Sequence, residues 1–372
     1  MWCRVHWPVW HARATTRDRY TNPPHAADRH VAVRRLRPVP PVAGRQSPPP
    51  ARRLTGVGNN RPAGNSWDHA GPTGGDRVPD GIGVTRHQGL RTAAAATAGS
   101  TQSGADGEHP GALSVMTYNL RVARPTGSNR WAVRRPVMRE LLRREHPHVI
   151  GTQEGLYRQL RRIQKDIGPR YDWIGIGRMG SRKDEFSAVL YDTGRLAPIE
   201  SDHYWLSDTP SVIASNTWGA RFPRVVTWIR FSDLAHEGRE FYVLNTHLDH
   251  RSQYARERSA ELIRETIAAF DSSLPVVVTG DFNVAAHHNP VYDAMLAAGL
   301  VDTWDAAGAR GPLYATFHGF QPPEPDGRRI DWILTTPRVT THWAAINTFA
   351  VNGRFPSDHL PVQASLDLGT HR

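Results

Sequence analysis

From Leu113 onward the chain is broken into short apolar runs, and several of them end on an asparagine, a carboxylate or a histidine. No other feature constrains the fold as much. Runs of five to eight residues fit strands better than core helices. Residues 113–119 alternate as a strand and end on Asn119; residues 148–153 form the next and lead into Glu154. Further strands are expected at 171–176, 186–191, 225–231, 241–247, 276–280, 330–334, 343–349 and 360–366. Between them the period changes. Val133, Val137 and Leu141 recur four apart with Met138 and Leu142 beside them, predicting a helix with Pro136 in its first turns. Helices also fit 156–167 and 252–270, the latter with Ile263, Ile267 and Phe270 on one face, and Asn289-Pro290 caps another. About ten strands and three or four helices in one stretch imply an α/β domain of sheets covered by helices. No internal repeat is visible.

The first 110 residues have a different texture. They carry 15 Arg against 7 acidic residues, with 13 Pro and 13 Gly and no apolar period. Such a segment buries too little apolar surface to offset the entropy of ordering, so residues 1–110 are expected to be a disordered Arg/Pro/Gly-rich tail and 111–372 the folded domain. The net charge of +11 therefore belongs mostly to the tail. An electrostatic tether to nucleic acid, an atypical targeting segment and an overextended reading frame are its three readings, and the lack of internal pattern favours the last. Of 46 basic residues only Lys165 and Lys183 are lysines, a bias that codon usage explains most simply. The single cysteine, Cys3, excludes an intramolecular disulfide and a cysteine zinc site. No apolar run reaches the ~20 residues of a membrane span, and Arg, His and Pro interrupt the start where a signal peptide needs a continuous apolar core. A cytoplasmic monomer without stable membrane insertion is expected.

The polar run-ends are the candidate site. Asn119, Glu154, Asn245, His247 and the Asp281-Phe282-Asn283 string sit where loops begin, Asp331 of Arg329-Ile330-Asp331 lies inside an apolar strand, and the Asp358-His359 pair stands just before the last strand. Any one of them alone reads as a turn cap or a satisfied buried polar group. Together they do not. Met116-Thr117-Tyr118-Asn119, Gln153-Glu154, Asn245-Thr246-His247-Leu248-Asp249-His250, Gly280-Asp281-Phe282-Asn283, Arg329-Ile330-Asp331 and Ser357-Asp358-His359 resemble, in order and at plausible spacing, the motifs of the endonuclease/exonuclease/phosphatase superfamily. That group includes deoxyribonuclease I, neutral sphingomyelinases and inositol polyphosphate 5-phosphatases. Segments such as Trp205-Leu206-Ser207-Asp208-Thr209-Pro210 and Thr316-Phe317-His318-Gly319-Phe320 resemble a broad bacterial and fungal branch of it.

The resemblance implies a four-layer α/β sandwich, two packed mixed sheets flanked by helices, with a divalent metal at the strand ends. It implies Asn119, Glu154 and Asp358 as metal residues, and His247, Asp281, Asn283, Asp331 and His359 as catalytic ones. Oxygen ligands of this kind suit Mg²⁺, with Mn²⁺ as its substitute. Asp281 would orient or deprotonate the attacking water, Asn283 fix its geometry, His359 meet a phosphoryl oxygen or exchange a proton with Asp331 behind it, so that either Asp281 or His359 is the base, and His247 donate to a non-bridging oxygen. Asn245, Glu185, Arg224 and His318 are the candidate substrate-binding residues; Arg224, like Arg221 on the other side of Phe222-Pro223, reads as a clamp for a second phosphate or as one half of a surface salt bridge, and His318 belongs to an aromatic group that either touches a base, ring or acyl group or packs the core rim. The expected activity is metal-dependent hydrolysis of a phosphoester, with nucleic acid a candidate substrate. A sphingomyelinase-like phospholipase C and a nucleic-acid-binding protein with a decayed site are the alternatives.

Overall fold

The computed structural model describes residue 109 and residues 111–369. The expected tail lies outside the described residues. Elements follow in the order β1 (Leu113–Asn119), α1 (Trp131–Glu145), β2 (Val149–Leu156), α2 (Tyr157–Ile167), β3 (Tyr171–Ile174), β4 (Glu185–Asp192) and β5 (Leu196–Trp205). The chain continues through β6 (Val225–Asp233), β7 (Glu240–His247), α3 (Gln253–Ala268), β8 (Val276–Asp281), α4 (Pro290–Ala297) and β9 (Val301–Asp302). It closes with α5 (Thr303–Ala306), β10 (Ala309–Arg310), β11 (Asp331–Thr335), β12 (Thr340–Ile346) and β13 (Val362–Asp367).

Two mixed sheets result, ordered β10-β12-β13-β1-β2-β4-β3 and β5-β6-β7-β8-β11-β9. Each has one parallel pair at its centre, β1 with β2 and β7 with β8, joined by a helix, and antiparallel neighbours on either side. The central strands are buried on both faces, so they read as continuous apolar runs rather than half-polar alternations. In β8, Val277 joins the core between the sheets while Val276 and Val278 face α3 and α4. In β1, Val115 faces the other sheet, and Met116 and Tyr118 face α1 and α2. Three apolar clusters among the described residues thus separate four layers, α1/α2, first sheet, second sheet and α3/α4. This is the sandwich that the resemblance implied.

The helices are fixed as the sequence suggested. Ser252 Oγ accepts the Ala255 amide 3.1 Å away at the start of α3, and Asn289 Oδ1 accepts that of Val291 at 3.0 Å ahead of Pro290 in α4. Four elements escaped prediction: β5 and the short β9, α5 and β10. β5 is an edge strand of half-exposed residues, interrupted by a bulge at Pro198, so it shows neither an apolar run nor clean alternation. β12 begins three residues before the expected start, and no described helix is long and apolar enough to cross a membrane.

Candidate active site

The strand registers bring the polar run-ends to one edge. Asp281, last in β8, lies beside His247, last in β7, and opposite Asp331, first in β11. From the first sheet, Asn119 at the end of β1 crosses the interface: its Nδ2 donates to Asp281 Oδ2 at 2.9 Å and to Glu154 Oε1 at 3.2 Å. Asp281 Oδ2 is further approached by His247 Nε2 at 3.4 Å and His359 Nε2 at 3.8 Å. His359 Nδ1 lies 2.9 Å from Asp331 Oδ2, which fixes the ring. Asp281 Oδ1 accepts the backbone amide of Asn283 at 2.9 Å, and the Asn283 side chain holds Leu248 O at 3.0 Å. Asn283 therefore shapes the aspartate through its backbone. Ser357 Oγ donates to Asn119 O at 2.6 Å, tying the Asp358-His359 loop to β1.

Two of these residues carry unusual backbones. Glu154 has φ of 61° beside a register shift in the β2–β4 pairing, and Asn283 has φ of 55°. A left-handed conformation at a non-glycine residue in a strand is strained, and here it turns the Glu154 carboxylate into the cleft. Its Oε2 accepts the Val122 amide at 3.0 Å.

Burial and close charges divide the protonation states. Burial and the neighbouring Asp331 push the Asp281 carboxyl up to about 7, against the pull of His359 and the Asn119 amide. Burial works against a charged His359, but Asp331 and Asp281 outweigh it and hold the imidazolium up to about 10. His247 is pushed well below its ordinary value by burial, Arg224 and His359, so it is neutral at pH 7. For Glu154, burial opposes ionisation, yet the Val122 amide, His359 and Asn119 bring it below the ordinary carboxylate value. One buried acid near neutrality beside one fixed imidazolium is a pairing suited to proton transfer.

The donor set fits a hard divalent cation. Arg121 bridges two carboxylates at the cleft, its Nε 3.2 Å from Asp358 Oδ2 and its Nη1 3.9 Å from Glu154 Oε2, so a positive charge already spans the gap. Asp331 Oδ1 is buried without a hydrogen-bond partner. Asp281, Asp331 and His359 also place ligand atoms within 4.8 Å of one another. Oxygen ligands dominate, as Mg²⁺ or Mn²⁺ prefers.

Not every expected residue enters the cleft. Asn245 is fully buried between the sheets: its Nδ2 donates to Thr152 O at 2.8 Å, and its Oδ1 accepts from Gln153 Nε2 at 2.8 Å and Thr279 Oγ1 at 3.0 Å. A Cβ at Gly151 would meet Thr279 Oγ1 at 2.0 Å, so only glycine permits this inter-sheet clip. His318 is turned inward as well, its ring nitrogens 2.7 Å from Gln321 O and 3.2 Å from Ser357 O; it staples two loops. Its neighbour Phe317 is the exposed member of that aromatic group, 51% accessible and 5.1 Å from the His359 ring. Glu185 and Arg224 do lie beside His247, joined there by Arg178. Sequence reading also passed over Arg134. Its buried guanidinium donates to Asn129 O, Leu120 O, Pro356 O and Arg121 O at 2.8, 2.9, 2.7 and 3.0 Å, binding the loops that carry Arg121 and Ser357.

The arrangement has counterparts among known proteins. The model of the endonuclease/exonuclease/phosphatase family matches residues 116–359. This chain belongs to that family. Among solved structures, a mannosyl-6-phosphatase from Bacteroides thetaiotaomicron is 35% identical, with a TM-score of 0.64 over 68% of this chain and 99% of that one. A family member from Bacteroides vulgatus is 31% identical, with a TM-score of 0.65 over 69% and 99% of the two chains. Protein angel of Drosophila melanogaster is 25% identical over 224 residues, 55% of this chain; the match spans 62% of that relative's length. The family membership accounts for the ordered motifs and for phosphoester hydrolysis as the general activity.

Proposed function

We propose that the chain is a divalent-cation-dependent hydrolase of phosphomonoesters of small hydroxylated alcohols, sugar phosphates being the type. The observation that carries the reading is the meeting, around Asp281, of Asn119 and Glu154 from one sheet with His247 from the other and His359 beside them. The similarity to a mannosyl-6-phosphatase, nearly all of which this chain covers, supports the monoester.

Glu154 and Asp358 would hold Mg²⁺, with Mn²⁺ as its substitute, and the Asn119 amide would position the Glu154 carboxylate for it. A bound ion would supply the positive charge that offsets the negative charge of the phosphoryl group. Asp281 orients the attacking water and takes its proton; its buried carboxyl, pushed up to about 7, is a stronger base than an ordinary aspartate. His359, kept charged by Asp331, donates to a phosphoryl oxygen where negative charge grows. Neutral His247 donates to a second oxygen, and Asn119 keeps Asp281 and Glu154 in one frame.

The test is a panel of sugar phosphates, p-nitrophenyl phosphate, oligonucleotides and sphingomyelin, each with Mg²⁺ and with chelator. Mg²⁺-dependent release of phosphate from sugar phosphates, above all other members, is expected. Faster cleavage of oligonucleotides or sphingomyelin would overturn the monoester assignment.

A further inference from the structure

Arg121 stands between the two carboxylates assigned to the divalent cation. Its Nε is 3.2 Å from Asp358 Oδ2, and its Nη1 is 3.9 Å from Glu154 Oε2, too long for a hydrogen bond. One ion pair is close and the other loose, and 32% of the side chain is open to solvent. The backbone is held quite differently. Its φ of 52° is left-handed, a costly conformation for a non-glycine residue. Three hydrogen bonds keep it there: the Arg121 amide donates to Asn119 Oδ1 at 3.0 Å, and the Arg121 carbonyl accepts from Arg134 Nη2 and Gln159 Nε2, each at 3.0 Å. A fixed backbone thus carries a loosely held head into the cleft.

Two other arginines near His247 lack that freedom. Arg178 and Arg224 are only 7% and 5% exposed. Arg178 is paired with Glu185 at 2.8 Å and Asp184 at 3.0 Å, while Arg224 is turned to Asp249 at 3.6 Å and His250 at 3.1 Å. At Glu154, Oε1 accepts the Asn119 amide at 3.2 Å and Oε2 the Val122 amide at 3.0 Å, and the Arg121 head takes the side that faces Asp358. A cation shared by Glu154 and Asp358 needs that same side. Two cations against the same carboxylates repel, so the guanidinium and the ion exclude each other.

We infer that Arg121 is an exchangeable counter-ion: it holds Asp358 and Glu154 together, yields them to the divalent cation, and then pairs with the phosphoryl group of the substrate. The inference rests on the reading above that Glu154 and Asp358 hold the ion. The planar fork of arginine matches two carboxylate oxygens and two phosphoryl oxygens equally well, which a lysine ammonium cannot do. Arg121 thereby sets metal affinity below what the two carboxylates alone would give, and it becomes a substrate-binding residue once displaced.

The experiment is calorimetry on the chelator-stripped full chain, titrated with Mg²⁺ alone and then, after saturation, with inorganic phosphate. It compares wild type, Arg121→Gln, Arg121→Lys, Arg124→Gln and Glu154→Gln. The change is made at the head of Arg121 because loosening its whole loop would also free the Val122 amide and the Ser357 hydroxyl that steady Glu154 and the Asp358 loop, and so weaken the ion's own ligands. Arg121→Gln is expected to bind Mg²⁺ at least about tenfold more tightly and phosphate at least about tenfold more weakly, the scale of one contact between charged groups. Arg121→Lys keeps the charge but not the fork; it should move both affinities in the same two directions by smaller amounts, and carries the test if Arg121→Gln does not fold. Arg124 is exposed and three residues on, so Arg124→Gln removes a charge alone and should change neither affinity by more than about twofold. Mg²⁺ binding that is unchanged or weaker in a folded Arg121 variant, tightening matched by Arg124→Gln, or unchanged phosphate affinity would overturn the exchange. Unchanged Mg²⁺ affinity in Glu154→Gln would instead defeat the metal reading, and the exchange with it.

Discussion

Replacing Arg134 by methionine tests how the site is held. The guanidinium has no carboxylate partner; it satisfies backbone carbonyls of Asn129, Leu120, Pro356, Arg121 and, at 3.3 Å, Val122. Methionine fills most of the volume and supplies no donor. Leu120 O and Arg121 O keep a second donor, Gln159 Nε2, at 3.4 and 3.0 Å, and Asn129 O and Val122 O lie where water can reach. Pro356 O is buried and loses its bond. One orphaned buried carbonyl costs ~1–3 kcal/mol, and weakening of the other four adds a comparable amount, while the variant no longer desolvates a charge. A net loss of about 3 kcal/mol is expected, or roughly 6–12 °C in Tm for a domain of this size. Calorimetry measures the shift, and titration with Mg²⁺ measures the second effect: Arg121 and Ser357 are released with these loops, so metal affinity falls too. A Tm within about 2 °C of wild type, with unchanged metal affinity, would refute the argument that these loops depend on Arg134.

Four further outcomes follow. Glu154→Gln should weaken Mg²⁺ binding in calorimetry at least tenfold while leaving the fold, since the amide cannot replace the charge at the cleft; unchanged affinity would remove Glu154 from the metal residues. Asp281→Asn should lower kcat by roughly 10²–10⁴-fold, and Asp331→Asn by less, because the first touches the attacking water and the second acts through His359; equal small losses would show that neither carries the chemistry. His148 is held down at about 4 by burial and accepts the Ser114 amide at 2.9 Å, so its contribution is complete above its ordinary value of 6.5 and is lost as pH falls towards 4. Unfolding free energies from urea titration should drop over that window by at most about 3 kcal/mol, and His148→Gln should flatten the drop. A chain beginning at Gly111 should keep its Tm and its turnover of small substrates, and loss of either would move the domain boundary.

The parts of the site legible in the sequence are those whose side chains end a strand. Asn119, Glu154, His247 and Asp281 follow or end apolar runs, Asp331 opens one, and a polar residue at such a boundary needs no knowledge of packing to be noticed. What failed was direction and partnership. Asn245 lies two residues before His247 on the same strand and shares its face, yet it stays between the sheets because Gly151 lets the opposite strand come close. Arg134 sits in Val133-Arg134-Arg135, a string that reads as a solvated helix face. It is buried because loop carbonyls from three stretches of chain converge on it, and no local pattern records that. The abundance of arginine looked like codon usage; in the fold, Arg195 grips Asp233 at 2.7 and 3.0 Å and Arg135 grips Asp166 at 2.7 and 2.8 Å, forks that lysine could not copy.

The Asn245 clip has a consequence for how the protein loses activity. The reactive edge is a seam: Asn119, Glu154 and His359 ride on one sheet, and His247, Asp281 and Asp331 on the other. Neither half contains a working set, so the chemistry depends on the two sheets keeping a fixed offset, and the buried amide of Asn245, with Gln153 and Thr279, acts as the dowel. Warming that lets the sheets slide by a fraction of an ångström parts Asn119 from Asp281 while every strand and helix is still intact. Inactivation should then run ahead of melting, and the gap between the two temperatures measures the tightness of that joint.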